Sequence, residues 1–299
     1  MSDENTKTRF PLDAAILQRL DSLALLTRRP MATGRPGRRR SPQAGSSMEF
    51  ADYRRYAPGD DFRRIDWRAY ARLERLFLRV FEAEENITVS ILIDSSDSMH
   101  YGTPAKMQLA IMVAAALAYI ALKCEDTVIV GALTDRLAAY RHTGSGTNAI
   151  WSVGEFLNQL PRAGKTDLNK ALYDLGRVTS APGLTIVISD FLAPGGYQTG
   201  IRALRQLRQE VALLQILAPE ELEPELQGDW RLRDSEGHGT LDISISSQVL
   251  QAYRQRLHAF TQELTAFAHT NAASYSLLSS NTDILDVVQR LLRQIELVK

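Results

Sequence analysis

Apolar runs that are typical of buried strands alternate with segments of helical spacing along most of this chain. The alternation predicts βαβ units with right-handed crossovers around a largely parallel sheet, which is a doubly wound α/β fold with helices on both faces. The predicted strands are 76–81, 87–93, 126–133, 136–141, 184–190, 211–217 and 274–278, and segments 230–233 and 240–245 form a predicted hairpin. The predicted helices are 106–123, 148–160, 167–179, 198–209, 248–270 and 283–297.

The N-terminal part of the chain has a different pattern. Residues 11–27 place leucine and isoleucine at near-helical spacing and predict a helix. The stretch from Arg28 to Arg40 holds arginine, proline and glycine without an acidic residue, which predicts a flexible linker or extended arm. We therefore expect residues 1–85 to carry this helix, the linker and an Arg/Asp-rich segment. Residues 86–299 are expected to form the α/β domain, with a β-hairpin insertion near 229–246.

Composition and charge narrow the class of protein. The 299 residues are 44% hydrophobic and 23% charged, as in soluble globular proteins, and the formal net charge of zero predicts no polyanion binding. The single cysteine, Cys124, excludes an internal disulfide and suits a reducing compartment. The polar N-terminus is unlike a signal peptide. The longest apolar run, 109–122, is shorter than the roughly 20 residues that cross a bilayer. We therefore expect a cytoplasmic protein without a membrane span.

Oxygen-bearing side chains follow the ends of two predicted strands. Asp94 closes one strand, and hydroxyls follow it at Ser96 and Ser98, while Asp190 closes another strand and Thr166 precedes a helix. The carboxyl ends of parallel strands meet at one edge of a sheet, so these side chains are expected to converge. Carboxylates, hydroxyls and retained waters suit a hard cation such as Mg²⁺, with Mn²⁺ or Ca²⁺ as alternatives. A second interpretation is that the two aspartates only cap the helices that follow them.

The five residues resemble the metal-ion-dependent adhesion site of von Willebrand factor A domains. Three upstream segments narrow the resemblance to the bacterial domain of unknown function 58 family: GSSMEF at 45–50, YRRYAPGDD at 53–61 and RIDWRAYAR at 64–72. Members of that family carry a von Willebrand A-like domain and are typically encoded beside MoxR-type AAA+ ATPases. One departure is Phe191, because von Willebrand A domains usually have glycine after the last aspartate.

The resemblance implies a role for each residue of the site. Ser96 and Ser98 would contact the cation directly, Asp94 and Asp190 would hold it largely through water, and Thr166 would join directly or through water. A vacant coordination position would accept an aspartate or glutamate of a partner protein. The resemblance therefore implies a non-enzymatic interaction module, with a MoxR-type ATPase or a client protein as its partner.

Other functions stay open at the level of sequence. A Mg²⁺-dependent hydrolase or nuclease is the first alternative, although no Gly-x-Ser-x-Gly elbow and no evident histidine base accompany the serines. Nucleic-acid binding through the arm from Arg28 to Arg40 is the second alternative. It is disfavoured because no aromatic residue lies among these arginines to stack on bases. The glycine-rich loop 144–149 resembles a dinucleotide-binding turn but follows a predicted edge strand rather than the first strand.

Overall fold

The computed structural model describes residues 10–27, 48–57, 62, 65–83, 87–162, 164, 166–179, 181–226, 228–233 and 239–294. The chain divides into two compact units, one made of Met1–Arg28 with Ile87–Lys299 and the other of Arg29–Asn86. The boundary between Asn86 and Ile87 lies one residue after the boundary predicted between residues 85 and 86. The arm predicted from Arg28 to Arg40 lies outside the described residues.

The bounds of the elements follow the predicted alternation closely. The strands are β1 Met48–Arg55, β2 Phe77–Ala83, β3 Thr88–Asp94, β4 Thr127–Leu133, β5 Leu137–Thr143, β6 Gly183–Ser189, β7 Gln209–Leu217, β8 Gly228–Arg233, β9 Thr240–Ile245 and β10 Ala273–Ser279. The helices are α1 Ala14–Thr27, α2 Trp67–Leu73, α3 Lys106–Lys123, α4 Ile150–Asn158, α5 Leu168–Val178, α6 Gln198–Gln206, α7 Pro219–Leu222, α8 Ser247–Thr270 and α9 Ile284–Gln294. Elements β1, α2 and α7 have no counterpart in the prediction.

A six-stranded sheet forms the centre of the α/β unit, in the order β10-β7-β6-β3-β4-β5. Neighbouring strands are parallel except for the antiparallel pair of β4 and β5. The predicted largely parallel α/β fold is therefore confirmed, and β5 is an edge strand as expected. Strands β8 and β9 form a separate antiparallel hairpin, also as predicted.

The sheet separates two apolar layers, as the alternation of residues along β3 shows. Ile91 and Ile93 belong to the layer that includes α3 and α9, whereas Leu92 belongs to the layer that includes α5, α6 and α8. Helix α3 is buried along most of its length, which confirms its prediction as a core helix. Each fully buried aliphatic side chain of this kind contributes about 1.5–3 kcal/mol to folding.

Helix α1 packs on α3, so it belongs to the α/β unit and not to the N-terminal part in which it was expected. Leu20 is fully buried in the same layer as α3. The Tyr119 hydroxyl donates to Asp21 Oδ1 at 2.5 Å, and Lys123 Nζ lies 3.0 Å from the same oxygen. No local sequence pattern predicts these contacts, because they join positions about a hundred residues apart.

The smaller unit is built on the antiparallel pair of β1 and β2. Helix α2 begins after Asp66, whose Oδ1 accepts the N–H groups of Arg68 at 2.8 Å and Ala69 at 3.1 Å. The Tyr53 hydroxyl donates to Asp66 Oδ2 at 2.8 Å. A buried aspartate therefore satisfies free N–H groups in the first turn of α2 and links the helix to β1.

Candidate metal centre

The structure brings the predicted oxygen ligands to the carboxyl edge of the central sheet. Asp94 is the last residue of β3, and Asp190 directly follows the neighbouring parallel strand β6. Ser96 and Ser98 lie in the loop and short 3₁₀ turn after β3, and Thr166 lies two residues before α5. Asp94, Ser96, Thr166 and Asp190 are buried, so their oxygens are held by the fold.

Asp94 is the centre of the hydrogen bonds at this edge. Its Oδ1 accepts the N–H of Ser96 and the hydroxyl of Thr166, each at 3.0 Å. Its Oδ2 accepts the hydroxyl of Ser189 at 2.6 Å. Ser189 was not predicted, although a hydroxyl directly before Asp190 could have suggested it. These bonds fix the carboxylate between three chain segments.

Two oxygen–oxygen distances at this edge are compatible with the coordination shell of a small divalent cation. The hydroxyl oxygens of Ser96 and Ser98 are 3.0 Å apart, and Asp94 Oδ1 and Thr166 Oγ1 are also 3.0 Å apart. Adjacent ligands of octahedral Mg²⁺, with bonds of about 2.0–2.1 Å, are separated by about 2.9 Å. Asp94, Ser96, Ser98 and Thr166 therefore offer a donor set that fits Mg²⁺ or Mn²⁺.

Asp190 is held by a basic side chain, which the sequence did not predict. Lys106 Nζ lies 2.7 Å from Asp190 Oδ2 and 2.8 Å from Glu221 Oε1, and the Lys106 side chain is fully buried. The other Asp190 oxygen, Oδ1, accepts the N–H of Leu192 at 3.0 Å. Both oxygens of Asp190 are thus engaged by the protein, which suits contact with a cation through water.

One feature of the sequence could have indicated that Lys106 has acidic partners. Lys106 begins a mostly apolar helix, where its charge is unfavourable beside the positive end of the helix dipole. A buried cation at that place requires acidic partners. The tertiary fold determines which acids pair with Lys106, because Asp190 and Glu221 are distant from it in sequence.

Burial and neighbouring charges alter the acidity of these groups. Burial raises the pKa of Asp94, and the charge of Asp190 raises that pKa further, against the hydrogen bonds from Ser189 and Ser96. Burial alone would lower the pKa of Lys106, but the carboxylates of Asp190 and Glu221 raise it above its usual value. Lys106 is therefore a permanent positive charge at neutral pH. A bound cation would favour the ionised form of Asp94.

An ion pair joins the serine loop to the loop that carries Thr166. Arg162 Nε donates to Asp97 Oδ1 at 2.7 Å, and Asp97 lies between Ser96 and Ser98. A side chain at Gly164 would begin 3.7 Å from Asp97 Oδ2, which shows how closely the two loops pack. The Arg162 side chain is largely exposed, so the pair contributes little to stability and mainly fixes the arrangement of the loops.

Phe191 occupies the position where glycine was expected. Its φ of 59° lies in the left-handed region, which glycine adopts without strain and phenylalanine does not. The side chain is buried and packs edge-to-face on Tyr197 with the ring centres 5.5 Å apart. The Phe191 N–H also donates to Ser189 Oγ at 2.9 Å. Aromatic packing therefore compensates for the strain of the turn, and the Phe191 N–H holds the hydroxyl that donates to Asp94.

The candidate site offers hydroxyl oxygens in addition to a carboxylate. Within the described residues there is no group of three or more histidine, cysteine, aspartate and glutamate side chains that could hold a metal ion. Asp94 is the one carboxylate in the set of Asp94, Ser96, Ser98 and Thr166. A cation bound there would keep a net positive charge.

Similar sequences occur in mycobacteria. The chain is 28% identical over 259 residues to the uncharacterized protein Mb1516 of Mycobacterium bovis, which covers 82% of this chain and 79% of the relative. The same figures apply to the uncharacterized protein Rv1480 of Mycobacterium tuberculosis.

Solved structures share the fold at low sequence identity. BatB from Bacteroides thetaiotaomicron is 19% identical, with 71% of this chain and 100% of that chain covered and a TM-score of 0.45. The SpRpn10 VWA domain is 11% identical, with 69% and 95% covered and a TM-score of 0.39. One of these similar structures is a VWA domain, in line with the largely parallel α/β sheet that the sequence predicts.

The predicted cytoplasmic location is contradicted by a similar structure that belongs to a membrane protein. A third similar structure, from Bacteroides fragilis, is described as an aerotolerance-related membrane protein; it is 15% identical, covers 71% of this chain and 99% of that chain, and has a TM-score of 0.45. Among the described residues, one helix, α3, is long and apolar enough to cross a membrane, with a mean hydropathy of 1.5. The expectation that the chain has no membrane span stays a prediction, because α3 meets this criterion by length and composition alone. Because 78% of α3 is buried inside the fold, the helix is by itself weak support for a membrane span.

The family resemblance drawn from the three upstream motifs is confirmed by a family-wide comparison. Residues 52–263 match the family described as protein of unknown function DUF58. This stretch contains all five predicted ligands and most of the central sheet. Since the match covers more than half of the chain, the protein belongs to the DUF58 family of proteins of unknown function.

Proposed function

We propose that this protein is an interaction module in which a divalent cation, held by Asp94, Ser96, Ser98 and Thr166, binds a carboxylate of a partner protein. The observation that supports this most strongly is that Thr166, from the loop before α5, lies against the segment that carries Asp94, Ser96 and Ser98. The oxygens of Ser96 and Ser98 and those of Asp94 and Thr166 are each 3.0 Å apart. Asp190 would hold the cation through water. When bound, the cation supplies an electrophilic position for an oxygen of the partner.

The charge balance of the site supports an acidic partner. Asp94 is the one charged side chain among the four proposed direct ligands, so a divalent cation would keep a net positive charge within that set. Lys106 offsets part of the charge of Asp190, because it is shared with Glu221. Mg²⁺ retains several waters in protein sites, so an outside carboxylate can displace one of them. The partner expected from the family resemblance, a MoxR-type AAA+ ATPase or its client, stays a prediction.

Calorimetric titration of Mg²⁺ into the full chain tests the metal site. The site variants are Asp94→Asn, which keeps the size of the side chain, and Ser98→Ala. The control is Ser90→Ala, because Ser90 is buried in β3 and its hydroxyl has no hydrogen-bond partner among the described residues. We expect Mg²⁺ binding in wild type and Ser90→Ala, and loss or strong weakening in both site variants. Equal binding in wild type and Asp94→Asn would refute the proposed site.

A turnover assay distinguishes a hydrolase or nuclease from the proposed interaction module. Hydrolysis of bis(p-nitrophenyl) phosphate in the presence of Mg²⁺ is measured for wild type and Asp190→Asn. The proposed interaction module predicts no Mg²⁺-dependent turnover in either protein. Turnover in wild type that disappears in Asp190→Asn would replace the module by an enzyme.

A further inference from the structure

Lys106 joins two carboxylates that come from different parts of the α/β unit. Its ammonium has three N–H donors, and Asp190 and Glu221 accept from it at 2.7 Å and 2.8 Å. Asp190 belongs to the edge that carries the candidate cation site, whereas Glu221 belongs to α7. The two acids therefore share one buried positive charge.

Glu221 is held by the segment that leads to the β8–β9 hairpin. Its Oε2 accepts the N–H of Ala218 at 2.7 Å, and its main-chain carbonyl accepts the hydroxyl of Tyr253 in α8 at 2.8 Å. The adjacent Glu220 accepts the N–H of Thr103, in the loop before α3, at 3.1 Å. The position of Glu221 is thus fixed by α7, α8 and the loop that precedes Lys106.

We propose that Lys106 sets the cation affinity of the site by holding Asp190, and that Glu221 sets how much of the Lys106 charge acts on Asp190. This inference rests on the proposed function, because it concerns the same cation. Among the described residues, the hydrogen-bond partners of the Lys106 ammonium are these two acids, so Lys106 donates to none of the four proposed direct ligands. Lys106 is therefore a positioning residue that acts through Asp190.

The proposal predicts opposite effects for two neighbouring substitutions. Lys106→Met removes a positive charge and the ion-pair partner of Asp190. The affinity for Mg²⁺ is therefore expected to rise by about tenfold or more. Glu221→Gln keeps the size and an acceptor oxygen but removes a negative charge. The full charge of Lys106 then acts on Asp190 and the cation, and Mg²⁺ is expected to bind about tenfold more weakly.

A double-mutant cycle separates action through Lys106 from a direct effect of Glu221. Mg²⁺ affinity is measured by calorimetry on the full chain for wild type, Lys106→Met, Glu221→Gln and the double variant. Glu223→Gln is the control, since Glu223 is exposed and lies just past α7. If Glu221 acts through Lys106, Glu221→Gln has little effect in the Lys106→Met background, and the double variant binds more tightly than wild type.

The outcomes distinguish this inference from the proposed function. Loss of Mg²⁺ binding in Asp94→Asn, with no change of affinity in Lys106→Met and Glu221→Gln, overturns the inference and leaves the site standing. Changes in the same direction in both variants also overturn it. Absence of Mg²⁺ binding in wild type overturns both. If Lys106→Met does not fold, Glu221→Gln against Glu223→Gln remains decisive, because equal affinities in that pair contradict the proposal.

Discussion

The Nζ atom of Lys106 lies 2.7 Å from Oδ2 of Asp190, and both side chains are buried. The pair joins the start of α3 to the end of β6 across the edge where a cation is expected. A buried pair of this kind adds little net stability, because desolvation of the two charges offsets their attraction. The pair matters for the candidate site, because it places the positive charge of Lys106 next to Asp190.

Removal of the Lys106 charge is expected to destabilise the cation-free protein. Lys106→Met leaves Asp190 and Glu221 buried without their counter-charge, so the free energy of unfolding should fall by about 3–5 kcal/mol. The matched control is Lys123→Met, at the other end of α3, where a partly exposed pair with Asp21 contributes about 1 kcal/mol or less. Urea unfolding with a chelator measures both. Equal losses would show that the buried pair has no special role.

Thr166→Val is expected to weaken the cation site more than it weakens the fold. The substitution keeps the shape but removes the hydroxyl that donates to Asp94, and Mg²⁺ affinity should fall by about tenfold, or 1.4 kcal/mol. Thr185→Val is the control, because Thr185 donates to Gln209 inside the sheet and away from the site. Both variants should lose about 1 kcal/mol of stability. Only Thr166→Val should change the calorimetric Mg²⁺ affinity, and a change in both would contradict its role as a ligand.

Asp126 is expected to make stability depend on pH. This half-buried carboxylate accepts the N–H of Ile87 at 3.0 Å, and burial raises its pKa to about 6. The folded protein therefore binds a proton more readily than the unfolded chain, so this group stabilises the fold increasingly as the pH falls from about 6 toward 4. Above pH 6 its buried charge opposes folding.

The variant Asp126→Asn tests that sign. It keeps an acceptor for Ile87 and removes the charge, so it should be more stable than wild type by about 1–2 kcal/mol at pH 7, after allowance for solvent screening. At pH 4 the difference should vanish. Urea unfolding of both proteins at the two pH values measures the effect, and a difference that does not depend on pH would show that Asp126 does not titrate in this range.

Asp66 is expected to hold the start of α2 in the smaller unit. Asp66→Ala removes the acceptor of the Arg68 and Ala69 N–H groups, which should destabilise the helix by about 1–2 kcal/mol. Hydrogen exchange of these two amides should become faster by about tenfold. Asp66→Asn keeps an acceptor oxygen and should retain most of the protection. Unchanged exchange in Asp66→Ala would mean that the side chain does not cap α2.

The sequence predicted the α/β unit well because its pattern there is strong. Buried parallel strands such as β6 and β7 are short continuous apolar runs, and their observed bounds differ from the predicted ones by one or two residues. Strand β1 was missed because Met48–Arg55 mixes charged, polar and apolar residues without an apolar period. Helix α2 is seven residues long, and its start depends on Asp66, whose surroundings no local pattern reveals.

The sequence predicted which oxygen-bearing side chains lie at this edge of the sheet, but not the contacts that support them; their role as ligands stays a prediction. Asp94 and Asp190 could be placed together because both follow strands of a parallel sheet, and the topology then brings Thr166 beside Asp94. Lys106 and Glu221 could not be assigned as partners of Asp190, because charged pairs distant in sequence are set by packing. The aromatic contact that holds Phe191 in a left-handed turn is likewise a property of the folded core.

The most direct measurement of the central claim is an anomalous difference map from crystals grown with Mn²⁺, which is a substitute for Mg²⁺ with a strong anomalous signal. The proposed site predicts a peak within bonding distance of the hydroxyl oxygens of Ser96 and Ser98, with Asp190 still paired to Lys106. A map without a peak at this edge of the sheet, at a Mn²⁺ concentration that saturates binding in solution, would contradict the metal centre and the interaction proposed for it.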